Sequence, residues 1–484
     1  MLAYEPSVVV VPRARVLNAR GFHQCKSVET SPRLQHRRRI EDREPTRSAF
    51  MRKQPNPKPT CALHPSLHAG LVRDLASWKM GSITRHALDA GLNRIPRGES
   101  DITTSFGLYN GTLFWLNPHK FPVPRNPHIY AIADDLKALA QLHTLPDVEF
   151  NLNVDDYPKA DGRVKTAAHS DAPTVAHPLF SYTKRESESG ATRDHDVLIP
   201  SGAFRMALYE HKLLARTIGE WERIYPWASK RGAAYFRGTP YCGIHNFGRC
   251  SRYVLARLAH DNRSDLLDVG LVEYNSAHDT ELHHARRHGL RSSGALRQAA
   301  RRDESAYGTY KYLLHLDGHS FSNRLQSLLL SNSLVLKQQS VYTEYYYRAL
   351  RPWEHYVPFY RDSAEDILDV LPNVTRFDDD ARAIARRGQA FVHSHLHVDG
   401  RMCYWRHLLH GWRRRLAFVP DVAERPHARR VRLRDYVCGE CRRTSNPELI
   451  GPWAADHPCA KAGASSPDTS VRQCRRPKGR RATK

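Results

Sequence analysis

Residues 307–359 contain the pattern that most restricts how this chain can fold. A short apolar run, Lys311 to Leu316, has the length of a buried strand, and the turn residues 317–320 (Asp-Gly-His-Ser) end it. Leucines at helical spacing follow, and Ser333 to Lys337 has the composition of a second strand. The stretch therefore predicts a strand–loop–helix–strand unit of about thirty residues, the size of a βαβ crossover in an α/β fold.

The loop of this unit has the character of an anion-binding site. Ser320 and Ser322 are both candidate N-caps of the following helix, and Arg324 is predicted to lie in its first turn. Free backbone N–H groups and the helix dipole at such a start favour a phosphate, to which an arginine adds a bidentate contact. The pattern alone also fits a doubly wound domain in which Arg324 is a solvent-exposed residue on a helix and binds no ligand.

The residues of this stretch also resemble a known family. The Asp317-Gly318 turn is followed by Ser322-x-Arg324, and Glu344 precedes an aromatic cluster. Their order is similar to that of glycosyltransferase family 90, which includes the Rumi-type protein O-glucosyltransferases, the fungal capsule-associated xylosyltransferases and the KDEL-motif proteins of the endoplasmic reticulum. The resembling segments are Tyr310-Lys-Tyr-Leu313, the residues just named, Ser333-Leu-Val-Leu336 and Leu350-x-Pro-Trp-x-His-Tyr-Val-Pro358.

The resemblance implies both a fold and an activity. The expected fold is α/β of the GT-B type, with two Rossmann-like domains facing across a cleft and disordered basic termini. The expected reaction is inverting transfer of glucose or xylose from UDP-glucose or UDP-xylose to a hydroxyl of a protein or glycan acceptor. No cofactor and no metal site are expected.

A carboxylate pair supplies the candidate catalytic base. Asp155 and Asp156 follow an alternating apolar segment that predicts a strand from Val148 to Val154. On the residues alone, both are better explained as ordinary turn residues before Pro158. The resemblance implies that Asp156 is the base and that Asp155 stands where relatives carry an arginine. A second carboxylate tends to raise the pKa of one member of such a pair, which suits a general base near neutral pH.

A second strand end supplies further candidate donor-binding residues. Gly232 to Arg237 is predicted as a strand, and the element Phe236-Arg237-Gly238-Thr239 closes it. A glycine there lets the backbone approach a ligand, although a surface salt bridge is the commoner role of an arginine. The resemblance adds Glu344 as a candidate for the ribose hydroxyls, while the neighbouring tyrosines are equally consistent with core packing.

The expected domain organisation follows from the family fold. Residues 63–230 are predicted to form the acceptor-side domain, completed by helices within 386–418, and residues 231–385 the donor domain. Residues 1–62 and 419–484 are predicted to be basic extensions without apolar periodicity.

The charge of the chain, +24 with neutral histidines, is concentrated at these two ends. Nucleic-acid binding would therefore be confined to the ends, and no specific nucleic-acid partner is expected.

No apolar run is long enough to span a membrane. The resemblance implies the lumen of the endoplasmic reticulum or Golgi, although neither a signal peptide nor a KDEL-type signal is visible. A monomer is expected.

The cysteines leave several interpretations open. Cys438 and Cys441, with Cys459 and Cys474, fit either a zinc knuckle or disulfides. Cys242 and Cys250 flank a short loop and are candidates for a disulfide. A non-catalytic binding protein that keeps the fold is the competing functional hypothesis, since Asp155 and the residues at 201–206 both depart from the family pattern.

Overall fold

The structure is a computed structural model that describes residues 61–93, 103–116, 127–159, 177–187, 190, 194–201, 211–239, 250–261, 265–272 and 305–431. The predicted N-terminal extension up to residue 60 and the four cysteines of the C-terminal tail lie outside the described residues.

The helices are α1 Pro65–Ala76, α2 Arg85–Asn93, α3 Pro127–Leu142, α4 His211–Ile224, α5 Ser251–His260, α6 Ser305–Gly308, α7 Leu325–Leu330, α8 Ile367–Arg376, α9 Asp378–His395 and α10 Val398–Arg413.

The strands form two larger sheets and one small pair. They are β1 Thr103–Tyr109, β2 Thr112–Trp115, β3 Val148–Asn153, β4 Phe180–Ser181, β5 Lys184–Arg185, β6 Val197–Leu198, β7 Arg231–Gly238, β8 Leu267–Leu271, β9 Tyr310–His315, β10 Leu334–Gln338, β11 Tyr342–Thr343, β12 Val357–Phe359 and β13 Arg429–Arg430. The first sheet has the order β13-β2-β1-β3-β4-β6, the second has the order β12-β10-β9-β7-β8, and β11 pairs with β5.

The first sheet is mixed. Its β1–β2 hairpin turns through Asn110 and Gly111, both with positive φ, which is the geometry that Asn-Gly favours in a two-residue turn. β3 joins β1 antiparallel, and only the pairings of β3 with β4 and of β4 with β6 are parallel. The expected α/β class is confirmed, whereas this sheet is parallel along only part of its width.

The second sheet is parallel in every described pairing. Numbered along the chain, its strands lie in the order 2-1-3-4-5, which is a doubly wound arrangement. Alternate residues of its strands enter two different cores: Tyr235 and Leu313 face one, and Phe236 and Leu314 face the other. Burial on both faces explains why these strands appear in the sequence as continuous apolar runs.

The predicted C-terminal boundary was wrong, because residues 419–431 pack on the first sheet. β13 pairs with β2, and Val431 is buried. Arg425 is buried and donates to the fully buried carboxylate of Glu149 and, at 2.9 Å, to Asp89. The segment is polar, so apolar periodicity gave no signal; buried ion pairs and strand pairing hold it in place.

The cysteines in the described part include one disulfide between distant positions. Cys61, just before α1, is bonded to Cys403 of α10. Cys250 also takes part in a disulfide, while Cys242, its predicted partner, lies outside the described residues. In the portions of the chain that the structure describes, every helix is too short or too polar to cross a membrane.

The buried position of Arg425 predicts a large effect of its removal. Arg425→Ala leaves the buried Glu149 carboxylate without its arginine partner, so we expect the free energy of unfolding to fall by about 3 kcal/mol. Urea unfolding measures this, with Arg430→Ala, an exposed arginine on β13, as the control. Equal stability of the two variants would contradict a structural role for the segment.

Candidate functional site

The two predicted donor-binding elements follow adjacent strands of the second sheet. β7 ends in Gly238 and is followed by Thr239, while β9 is followed by the loop at 316–320. β7 and β9 are the first and third strands of the 2-1-3-4-5 order and pair directly. In such sheets, ligands bind beyond the carboxyl ends of the strands at this point, where the strand order reverses. The topology therefore brings residues 236–239 and 317–320 to one edge of the sheet.

The loop after β9 differs from the predicted helix start. α7 begins at Leu325 with Arg324 as its N-cap, so Arg324 is not in the first turn and neither serine caps the helix. Ser320 instead donates its hydroxyl to the backbone oxygen of Asp156, and Ser322 offers its carbonyl oxygen to Nε2 of His315 at 2.8 Å. These bonds hold the loop against β9 and against the segment after β3.

The buried side chain of His315, at the end of β9, holds this loop in place. It is fully buried, and burial lowers its pKa to about 3, with the nearby ammonium of Lys337 acting in the same direction. The ring is therefore neutral at physiological pH. Because its partner is a carbonyl oxygen, Nε2 must carry the hydrogen and donate it.

Asp156 lies at the junction of the two chain segments. Its side chain is solvent-exposed at the tip of the turn after β3, and the hydrogen bond from Ser320 joins its backbone to the loop after β9. Partial desolvation raises the pKa of the Asp156 carboxyl; His319 and Arg252 act against this rise, and Asp155 adds to it. The direction of the Asp155 effect agrees with the sequence-based expectation.

Asp155 has partners of its own. Its carboxylate forms an ion pair with Lys159 at 2.9 Å and accepts the backbone N–H of Asp156 at 2.7 Å. The Asp155 carboxylate is thus paired with a cation four residues further along the chain.

Arg237 and Arg324 meet at the end of β7. Nη1 of Arg324 donates to the carbonyl oxygen of Arg237 at 2.7 Å. The Arg237 guanidinium forms an ion pair with Asp268 of β8 and donates to the Asp268 carbonyl oxygen at 2.8 Å. A Cβ on Gly238 would lie 2.5 Å from the Phe236 ring and 3.3 Å from Nη1 of Arg324, so only glycine fits here.

Arg252, in the first turn of α5, is a further residue of this site that was not predicted. Arg252 is only 3% exposed, and it donates through Nη1 to the Thr239 carbonyl oxygen at 2.8 Å and through Nη2 to the Leu316 carbonyl oxygen at 3.2 Å. The loops that it contacts were predicted, but no local pattern marked the arginine itself. The sequence offered one weaker indication, which is that Arg252 follows the Phe236–Thr239 element along the chain.

A buried group of titratable side chains lies behind the loop after β9. Burial raises the pKa of Asp317 to about 6 and that of Glu344 to about 8, while Lys337, buried near both, has a lowered pKa. The Lys337 ammonium lies 4.7 Å from the centre of the Tyr347 ring. Glu344 is fully buried and therefore keeps its proton at neutral pH, so its ribose-binding role stays a prediction.

The raised pKa of Glu344 predicts a pH-dependent stability. Between pH 5 and 7.5 the folded protein keeps this proton and the unfolded chain releases it, so rising pH favours unfolding. Relative to Glu344→Gln, the wild type should lose up to about 1.4 kcal/mol of unfolding free energy per pH unit in this range. Urea unfolding at several pH values tests this, and parallel pH curves for the two proteins would contradict it.

Among the described residues, one cluster has the composition of a metal site: Cys61, Cys403 and His407. Both cysteines are joined in the disulfide, so their sulfur atoms are not thiolate ligands in this state. The predicted donor-binding residues do not belong to this cluster.

Comparison with known proteins identifies relatives over most of the chain. The model of glycosyl transferase family 90 matches residues 57–476. O-glucosyltransferase rumi of Drosophila melanogaster is 27% identical over 71% of this chain and 76% of its own length. Protein O-glucosyltransferase 1 of Mus musculus is 29% identical over 58% of this chain and 66% of its own length.

The fold comparison finds a more distant likeness. An Anabaena protein solved in complex with UDP-glucose matches with a TM-score of 0.27 and 10% identity, over 39% of this chain and 51% of that chain. At this score the likeness has no bearing on fold or function. Since the family model spans most of the sequence, the chain belongs to glycosyl transferase family 90.

Proposed function

We propose that this glycosyltransferase moves glucose from a uridine diphosphate sugar to a hydroxyl of a protein acceptor. Glucose and a protein acceptor are favoured by the names of the relatives, which are protein O-glucosyltransferases. Xylose and a glycan acceptor remain the alternatives. The observation that carries the proposal is the bond from Ser320 to the backbone oxygen of Asp156, which brings this residue to the edge where β7 and β9 end, where His319 and Arg252 act on its carboxyl.

In the proposed reaction Asp156 acts as the general base. Its carboxylate takes the proton of the acceptor hydroxyl as the oxygen attacks the anomeric carbon from the face opposite the diphosphate. The bond from that carbon to the phosphate oxygen breaks, UDP leaves with the electron pair, and the anomeric configuration is inverted. A base with a raised pKa is suited to proton removal near neutral pH.

The negative charge that develops on the leaving diphosphate would be stabilised by nearby arginines. Arg324 occupies the N-cap position of α7 beside the strand ends, and Arg237 lies one residue before Gly238. Arg237 would have to exchange part of its bonding to Asp268 for a phosphate oxygen. Preorganised cations at a developing anion are an effective source of transition-state stabilisation, and we propose that they make a divalent metal unnecessary.

The proposed architecture is GT-B, with an acceptor-side domain over 63–230 and a donor domain over 231–385. The doubly wound order of the second sheet supports the donor assignment. We also propose a monomer in the lumen of the endoplasmic reticulum or Golgi. Disulfides at Cys61–Cys403 and at Cys250 support an oxidising compartment.

Asp156→Asn is the direct test of the proposed base. The substitution keeps the size of the side chain but removes the proton acceptor, so transfer to a peptide acceptor should fall by about 10²–10⁴-fold. UDP affinity, measured by calorimetry, should stay within about threefold, because the diphosphate contacts are elsewhere.

Asp155→Asn is the matched control. Removing its charge lowers the pKa of Asp156, so the acidic limb of the pH–rate profile should move to lower pH while the maximal rate changes little. A dead Asp155→Asn with an active Asp156→Asn would reverse the assignment. UDP binding without transfer in the wild type would favour the binding-protein alternative.

Metal independence has a simple test. Transfer from UDP-glucose measured after chelation with EDTA should equal the untreated rate, because the arginines carry the positive charge at the leaving group. Loss of activity that added Mn²⁺ or Mg²⁺ restores would show that a metal takes part.

A further inference from the structure

Arg252 connects the two strand ends at which the donor is proposed to bind. Its Nη1 donates to the carbonyl oxygen of Thr239 at 2.8 Å, and its Nη2 donates to the carbonyl oxygen of Leu316 at 3.2 Å. Thr239 follows β7 and Leu316 follows β9, so one planar guanidinium spans the point where the strand order reverses. The fixed geometry of its N–H groups suits a bridge between two carbonyl groups.

The surroundings of Arg252 leave it little freedom to move. A Cβ added to Gly318 would lie 3.1 Å from Nη2, so the glycine is what allows the loop to approach the guanidinium. The guanidinium carbon lies 5.4 Å from the centre of the Phe236 ring, and that of Arg324 lies at the same distance from the same ring. Two arginines therefore flank one aromatic side chain at the end of β7.

Arg252 also acts electrostatically on the proposed base. Its charge favours the ionised form of the Asp156 carboxyl, as the charge of His319 also does, whereas Asp155 opposes it. The same charge favours ionisation of Asp317 in the loop after β9. A buried guanidinium remains charged at every physiological pH, so this influence is permanent.

On the basis of the proposed function, we infer that Arg252 is a positioning residue of the transfer site. Its guanidinium holds the loops after β7 and β9 at a fixed separation and places a permanent positive charge beside Asp156. The loops then present the donor diphosphate to the base in one geometry, and the base is ionised when the acceptor binds. Neither role requires Arg252 to touch the sugar.

Two substitutions of similar length separate the two roles. Arg252→Lys keeps the charge but cannot bridge both carbonyl groups in the same plane, whereas Arg252→Gln loses the charge as well. We expect both variants to bind UDP about tenfold more weakly in calorimetry, since a charge-assisted bond to a loop is lost. Only Arg252→Gln should move the acidic limb of the pH–rate profile, and it should move to higher pH, because Asp156 becomes harder to ionise.

Arg257→Gln is the control, since this arginine lies on the same helix but is exposed, with Glu365 at 3.9 Å as its ion-pair partner. It should match the wild type in both measurements, and thermal melts establish that each variant is folded. Unchanged UDP affinity in folded Arg252→Gln would overturn the loop-holding role. An equal shift of the acidic limb in the Lys and Gln variants, or no shift in either, would overturn the electrostatic role.

The two readouts also separate this inference from the proposed function. If the wild type binds UDP but transfers no sugar, the proposed transfer fails, and UDP affinity still decides whether Arg252 holds the loops. If the wild type transfers sugar and Arg252→Gln behaves like Arg257→Gln, the transfer stands and the inference about Arg252 fails.

Discussion

The direct pairing of β7 with β9 determines where a ligand can bind in this protein. Strands that are first and third in the chain order lie side by side, and the segments that follow them diverge from the same edge of the sheet. The proposed donor site, the two arginines at the end of β7 and the approach of Asp156 all depend on this pairing.

The loops at this edge of the second sheet are held by polar side chains that bond mostly to backbone carbonyl oxygens. Arg252 binds the carbonyl oxygens of Thr239 and Leu316, Arg324 binds that of Arg237, and His315 binds that of Ser322. Side chains that bond to the backbone fix the course of a loop whatever side chains the loop carries. The cost is burial of charged and titratable groups, which is visible in the raised pKa values of Asp317 and Glu344.

Much of the fold was predictable because local patterns agreed with the tertiary structure. The strands predicted from Val148, from Gly232 and from Ser333 correspond to β3, β7 and β10, because each combines an apolar run with turn residues at its end. The start of α7 was misplaced because the Ser320 hydroxyl bonds to the backbone of Asp156 instead of capping a helix, and α7 begins only at Leu325. Residues 419–431 were missed because a buried ion pair at Arg425, which no local period reveals, holds them.

The site was predictable only in part, because some of its contacts depend on tertiary structure and not on a local pattern. The loops at 236–239 and 317–320 follow strands and carry glycines, which are local features. Arg252 enters the site from a helix, and its role depends on which strands are neighbours, a fact that one sequence does not contain. The ion pair of Lys159 with Asp155 is likewise a contact that only the folded turn makes evident.

A crystal structure of the protein with UDP would test the central claim most directly. The account predicts the diphosphate beyond the carboxyl ends of β7 and β9, within hydrogen-bond distance of Arg324 and of the loop at 317–322, with the Asp156 carboxylate on the side open to an acceptor. A diphosphate bound at the edge of the first sheet, or one that contacts neither loop, would contradict it.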